Sequence, residues 1–124
     1  MLLHEELTEQ IIACYYEVFN EIGFGFLETV YEKALVHELK LRGIESIRQG
    51  KIDVFYKGEK VGDYFCDVLV EGKIILELKA TPLKKEHEFQ LLNYLKATDI
   101  ELGYLMSFGK EAKFKRKIFE NQYK

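Results

Sequence analysis

Three side chains in the middle of the chain have the types and spacing for phosphate chemistry: Asp67, Glu77 and Lys79. Glu77 and Lys79 stand two apart in "IILELKA" (74–80), an otherwise apolar run. Strand alternation puts both on one face with Ile75 and sends Leu76, Leu78 and Ala80 to the other. A Glu-x-Lys pair means little by itself, since the chain holds four: Glu38/Lys40, Glu71/Lys73, Glu77/Lys79 and Glu111/Lys113. The first falls in a helical stretch, the second spans a turn, and the fourth follows Gly109 in a basic segment. Only the third interrupts a buried-looking strand. With Asp67 it would form two converging carboxylates, a site for a hard divalent cation, Mg²⁺ first and Mn²⁺ as its substitute. Such a cation acidifies a water and polarises a phosphoryl oxygen, while an adjacent lysine orients the water and offsets negative charge. The three residues also fit a half-exposed strand carrying a cross-strand ion pair, and alone they do not choose between the two.

Whether Asp67 reaches Glu77 depends on the loop between their strands. A two-residue loop at Glu71-Gly72 pairs Val70 with Lys73 and turns Asp67 to the wrong face. A three-residue loop, Val70-Glu71-Gly72 with Gly72 left-handed, pairs Leu69 with Lys73. Asp67 then opposes Ile75 and lies diagonal to Glu77, within about 7–8 Å. The position of Gly72 favours the three-residue loop.

The surrounding elements follow from periodicity. Apolar residues at Leu7, Ile11, Cys14, Tyr15, Val18 and Ile22 predict a helix over 5–22, which "GFG" (23–25) interrupts. A second helix is predicted over 26–41, closed by Gly43. Alternating, β-branched sequence with turns at "KGEK" and "VEGK" predicts antiparallel strands near 50–57, 60–70 and 73–80. After "TPLKK", "EHEFQLLNYLKAT" is helical, "LGYLMSFG" is a fourth strand, and the first half of "KFKRKIFENQYK" reads as an edge strand. The order after the leading helix is αβββαβ, an α/β fold with a mixed sheet flanked by helices.

The chain has 124 residues, a single Pro and no repeat or linker, which predicts one domain over 1–124. No apolar run approaches a membrane span, and "MLLHEELTEQ" is too acidic for an export signal. Cys14 and Cys66 lack the spacing of a zinc or disulfide framework, so the expected location is the cytoplasm. Net charge is −3, so bulk electrostatics neither require nor exclude nucleic acid. Basic residues do cluster in "KEAKFKRK" (110–117) and around Lys40, Arg42, Arg48 and Lys51. As isolated features these clusters are ordinary solvated faces.

Two helical pairs add to the three strand residues. Glu28 and Tyr31 in "GFLETVY", and Gln90 and Tyr94 in "QLLNYL", each share a helix face. With "RGI", "RQ", "YKG", "VGDYFCDVLVEGKIILELKA", "HEFQLLNYLKAT" and "LGYLMSFG", these stretches resemble the GxxExxY proteins, a branch of the PD-(D/E)XK nuclease superfamily. The resemblance runs along nearly the whole chain. It implies a restriction-endonuclease-like αβββαβ core, with Asp67 and Glu77 as metal ligands and Lys79 as catalytic lysine. It also implies Glu28 as the acid from the first core helix, and Gln90 and Tyr94 as a supporting Q-x-x-x-Y element. His87 matches the family pattern and reads as a helix-start residue. Phe65 stands where relatives often carry Arg, Cys66 where the superfamily has Pro, and Phe24 where a Pro is common between the glycines.

The implied function is Mg²⁺-dependent phosphodiester hydrolysis in nucleic acid, with DNA the expected substrate. The competing reading is a non-catalytic nucleic-acid-binding or interaction module that keeps the fold. A third reading is a purely structural dimer; a homodimer is compatible with all three.

Overall fold

The computed structural model describes residues 3–124. Met1 and Leu2, part of the stretch read against an export signal, lie outside the described residues. The elements are α1 (Glu5–Ile22), α2 (Glu28–Leu41), β1 (Ser46–Tyr56), β2 (Glu59–Val70), β3 (Ile74–Lys79), α3 (Lys85–Ala97), β4 (Leu102–Phe108), β5 (Ala112–Ile118) and a 3₁₀ turn (Asn121–Tyr123). The five strands form one sheet in the order β1-β2-β3-β4-β5. Only β3 and β4 run parallel, joined by the α3 crossover, so the sheet is mixed.

Alternation along the strands divides the core into two layers. Ile74, Leu76 and Leu78 of β3, with Tyr104, Met106 and Phe108 of β4, meet Tyr15 of α1 and Tyr31 and Leu35 of α2. On the other face Ile75 and Leu105 pack with Leu91, Tyr94 and Leu95 of α3. The crossover helix sits tightly there: a Cβ on Gly103 would stand 2.7 Å from Leu91 Cδ1 and 3.1 Å from the Ile75 carbonyl oxygen. Complete burial of one of these branched side chains contributes about 1.5–3 kcal/mol, so both faces of β3 are firmly anchored.

The observed elements differ from the sequence expectations mainly at their ends. The second helix begins at Glu28 rather than 26, because "GFG" and the two residues after it form a pinned loop. The first strand starts at Ser46, four residues earlier than its alternation indicates. Its early half carries Arg48 and Gln49, whose partner is a buried acid rather than water.

The β2–β3 register needs correction. Val70 pairs with Ile74, Leu69 with Ile75 and Val68 with Leu76. Glu71 and Gly72 are both left-handed, at φ 50° and 65°, and the Lys73 N–H donates to the Val70 carbonyl. The three-residue loop is therefore Glu71-Gly72-Lys73, one position later than predicted. That single step moves Asp67 from opposite Ile75 to opposite Glu77.

Candidate active site

The carboxylates lie where the β2–β3 ladder stops. Regular β2–β3 pairing ends at Val68 and Leu76, leaving the N–H groups of Asp67 and Leu78 without a backbone partner across that gap. The side chains supply the acceptors. Asp67 N–H donates to Glu77 Oε2 at 2.7 Å, and Leu78 N–H donates to Asp67 Oδ2 at 2.7 Å. Each acid thus closes the backbone of the opposite strand, which satisfies two part-buried donors and fixes both side chains at once.

The strands part there because alternation fails in β2. Cys66 packs with the α3 layer and Val68 with the α1–α2 layer, so the chain turns over at Asp67. Across from it, Gln49 lies between the pairs Arg48–Val68 and Gly50–Cys66 and takes φ 55°. Left-handed backbone at a non-glycine residue costs about 1–2 kcal/mol. The sheet accepts that strain at the point where it opens.

Glu77 is only 3% exposed, and burial is the main reason its carboxyl rises to about 8, with the charge of Asp67 second. Asp67 rises to about 6, again chiefly through burial; its bond from Leu78 opposes the rise and Glu32 adds to it. Lys79 lowers both acids through space yet makes no ion pair or side-chain hydrogen bond among the described residues. A buried and a half-buried acid, both with raised pKa and with no Lys or Arg side chain bonded to them among the described residues, form a donor set that a dication would complete. Mg²⁺ commonly binds through one or two carboxylates and keeps waters and phosphate oxygens as its other ligands. Asp67 and Glu77 fit that requirement. No group of three or more His, Cys, Asp or Glu side chains is arranged as a metal cage among the described residues.

The remaining sequence candidates separate. Glu28, in the first turn of α2, accepts a hydrogen bond from Ala80 N–H at 3.3 Å, which brings it to the end of β3 beside Lys79. Tyr94 is 6% exposed, and its hydroxyl is pushed up to about 12 by burial first and by Glu77 and Asp67 next. Its ring lies 5.8 Å from that of Tyr64. Gln90 is exposed and makes no side-chain hydrogen bond among the described residues, to the acids or to any other group. His87 accepts from Lys84 N–H at 3.1 Å, the helix-start role read from sequence.

Tyr31 has a definite place. Its hydroxyl donates to the Gly23 carbonyl at 2.7 Å and accepts from Phe26 N–H at 3.1 Å. Its ring stacks on Phe108 at 4.3 Å. The Gly25, Glu28 and Tyr31 spacing therefore pins the glycine loop at one end and Ala80 at the other.

One buried acid was missed. Glu32 is 3% exposed, and its Oε1 receives Arg48 Nε at 3.3 Å, Arg48 Nη2 at 3.2 Å and Gln49 Nε2 at 3.0 Å. It adds to the negative field at Asp67 and Glu77. The available signal was its position four residues after Glu28 on one helix face, together with "RQ" at 48–49.

A family model described as the PD-(D/E)XK nuclease superfamily matches residues 5–118. The chain belongs to the PD-(D/E)XK nuclease superfamily. Its αβββαβ order and mixed sheet are the restriction-endonuclease-like arrangement. Among solved structures, an alkaline exonuclease from Laribacter hongkongensis is similar at 13% identity and a TM-score of 0.45. The match covers 76% of this chain and 57% of that one, so the chain spans little more than half of that exonuclease. No curated protein gives a significant match.

Proposed function

We propose that the protein is a divalent-metal-dependent nuclease that hydrolyses phosphodiester bonds, in DNA, and that it represents the GxxExxY branch of its superfamily. The observation that carries this reading is the reciprocal bonding of Asp67 and Glu77 across a parted sheet, with Lys79 beside them and without an ion pair among the described residues. Asp67 and Glu77 would hold Mg²⁺, or Mn²⁺ in its place. When bound, the ion would polarise the phosphoryl oxygen and acidify a water. The Lys79 ammonium orients the attacking water and offsets negative charge on the phosphate. The water oxygen bonds to phosphorus, one ester P–O bond breaks, the water's proton passes to solvent, and the leaving alkoxide takes a proton. Glu28 tethers the end of the lysine strand, and Tyr94 screens the acids from the α3 side.

The whole chain is taken as one catalytic unit. Buried, unpaired thiols at Cys14 and Cys66 support a reducing, cytoplasmic setting. None of the described helices is long and apolar enough to cross a membrane. The second reading, a non-catalytic binding or interaction module, is favoured by the absence of a three-ligand cage among the described residues. Homodimerisation, compatible with either reading, is checked by light scattering.

The test is cleavage of labelled single- and double-stranded DNA and of RNA in Mg²⁺. Wild type is expected to cut DNA, to stop in EDTA, and to lose about 10²-fold or more in Lys79→Ala. No cleavage of any substrate, with nucleic-acid binding intact in Glu77→Gln, would establish the binding module instead.

A further inference from the structure

A groove of about 900 Å³ starts at Ala80, the residue after Lys79, and runs between the "GFG" loop, the "TPL" turn and β5. Its lining includes three aromatic rings, Tyr16, Phe24 and Phe114, and three lysines, Lys110, Lys113 and Lys115, against a single acid, Glu111. Tyr16 is 40% exposed and Phe24 is 56% exposed, although the core layer that would bury them lies close by. Phe24 is held out by the pinned loop: Gly23 and Gly25, on either side of it, are left-handed at φ 67° and 108°, and Tyr31 bonds across them. Lys110 has no ion-pair partner among the described residues, and Lys113 meets only Glu111, with both side chains more than 70% exposed. Lys115 is drawn to Glu88 at 2.8 Å.

We propose that this groove is a track for one unpaired strand of nucleic acid leading to or from Asp67 and Glu77, with bases stacked on Phe24 and Tyr16 and phosphates on Lys110 and Lys113. This rests on the nuclease reading for its direction, though not for its binding chemistry. Exposed rings recognise the flat faces of bases, and those faces are free in a single strand and hidden in a duplex. The lysines neutralise phosphates without reading sequence. Continuity is supplied by Ala80, which both lines the groove and donates its N–H to Glu28. The basic "KEAKFKRK" segment, an ordinary solvated face when read alone, thereby gains a function on a chain whose net charge is acidic.

The test is fluorescence anisotropy of labelled oligothymidylate and of a blunt duplex of the same length, in EDTA so that nothing is cut. Phe24→Ala is expected to weaken single-strand binding at least fivefold and duplex binding much less. Lys110→Glu/Lys113→Glu is expected to weaken it further and to flatten the salt dependence by about one to two powers of salt concentration. Tyr123→Ala, an exposed ring at the opposite end of the sheet, serves as the control. Circular dichroism melting confirms that each variant folds. Equal effects on duplex and single strand, or none, would overturn the track. Hydrolysis of bis(4-nitrophenyl) phosphate by wild type in Mn²⁺ reads the carboxylates separately. Hydrolysis without a groove effect rejects the track and keeps the nuclease, and a groove effect without hydrolysis does the reverse.

Discussion

The pH dependence of stability in the metal-free protein follows from Glu77. Its carboxyl moves from 4.5 to about 8 on folding, because the folded state removes it from water and places Asp67 beside it. Between those values the folded chain binds more protons than the unfolded one, so stability falls as pH rises. At about 1.4 kcal/mol per pH unit the whole interval corresponds to about 5 kcal/mol. Going from pH 5 to pH 8 crosses most of it. Sharing of the proton with Asp67 and relaxation of the gap reduce the loss to roughly 2–3 kcal/mol, on the order of 10 °C in Tm. Glu88 acts in the opposite sense: its bonds to Lys115 and Lys117 hold it near 2, so its contribution is present above 4.5 and lost only in acid. Glu77→Gln removes the charge while keeping an oxygen to accept the Asp67 N–H. Urea unfolding in EDTA should show wild type and Glu77→Gln within about 1 kcal/mol at pH 5, with the variant more stable by roughly 2–3 kcal/mol at pH 8. Equal destabilisation of the variant at both pH values would refute the reasoning, since Glu77 would then act through packing and not through charge.

Three further outcomes are expected. Tyr31→Phe loses the bonds to Gly23 and Phe26, costs about 1–2 kcal/mol, and speeds hydrogen exchange at the Phe26 amide. Gly103→Ala forces its Cβ against Leu91 and the Ile75 carbonyl and costs about 1–3 kcal/mol in urea unfolding. Arg48→Met leaves the buried Glu32 with its bond from Gln49 but without its cation, at a cost of roughly 2–4 kcal/mol, and adding Glu32→Gln recovers a large part of it.

Much of this architecture was legible because it follows periodicity. The α1 stripe from Leu7 to Ile22 and the alternation of Ile74 to Leu78 define which faces are buried, and the two faces of β3 require cover on both sides. Register was not legible to the last residue. Gly72 marks a left-handed position, but nothing in its type announces that Glu71 is left-handed as well, and that pair sets Val70 against Ile74. The break in alternation at Asp67 was equally hidden. Cys66 and Val68 are both apolar, and only the closed fold shows them on opposite layers. Glu32 reads as a solvated helix acid until Arg48 and Gln49, distant in sequence, arrive to bury it. The spacing of Gly25, Glu28 and Tyr31 was visible, whereas the clasp that Tyr31 makes depends on a loop conformation that spacing does not specify.

The most direct test of the central claim is calorimetric titration of Mn²⁺ and Mg²⁺ into wild type and Glu77→Ala, with and without DNA. The paired carboxylates predict binding in wild type that disappears in Glu77→Ala. Equal binding in both proteins, or none in either even with DNA present, would contradict a metal site at Asp67 and Glu77.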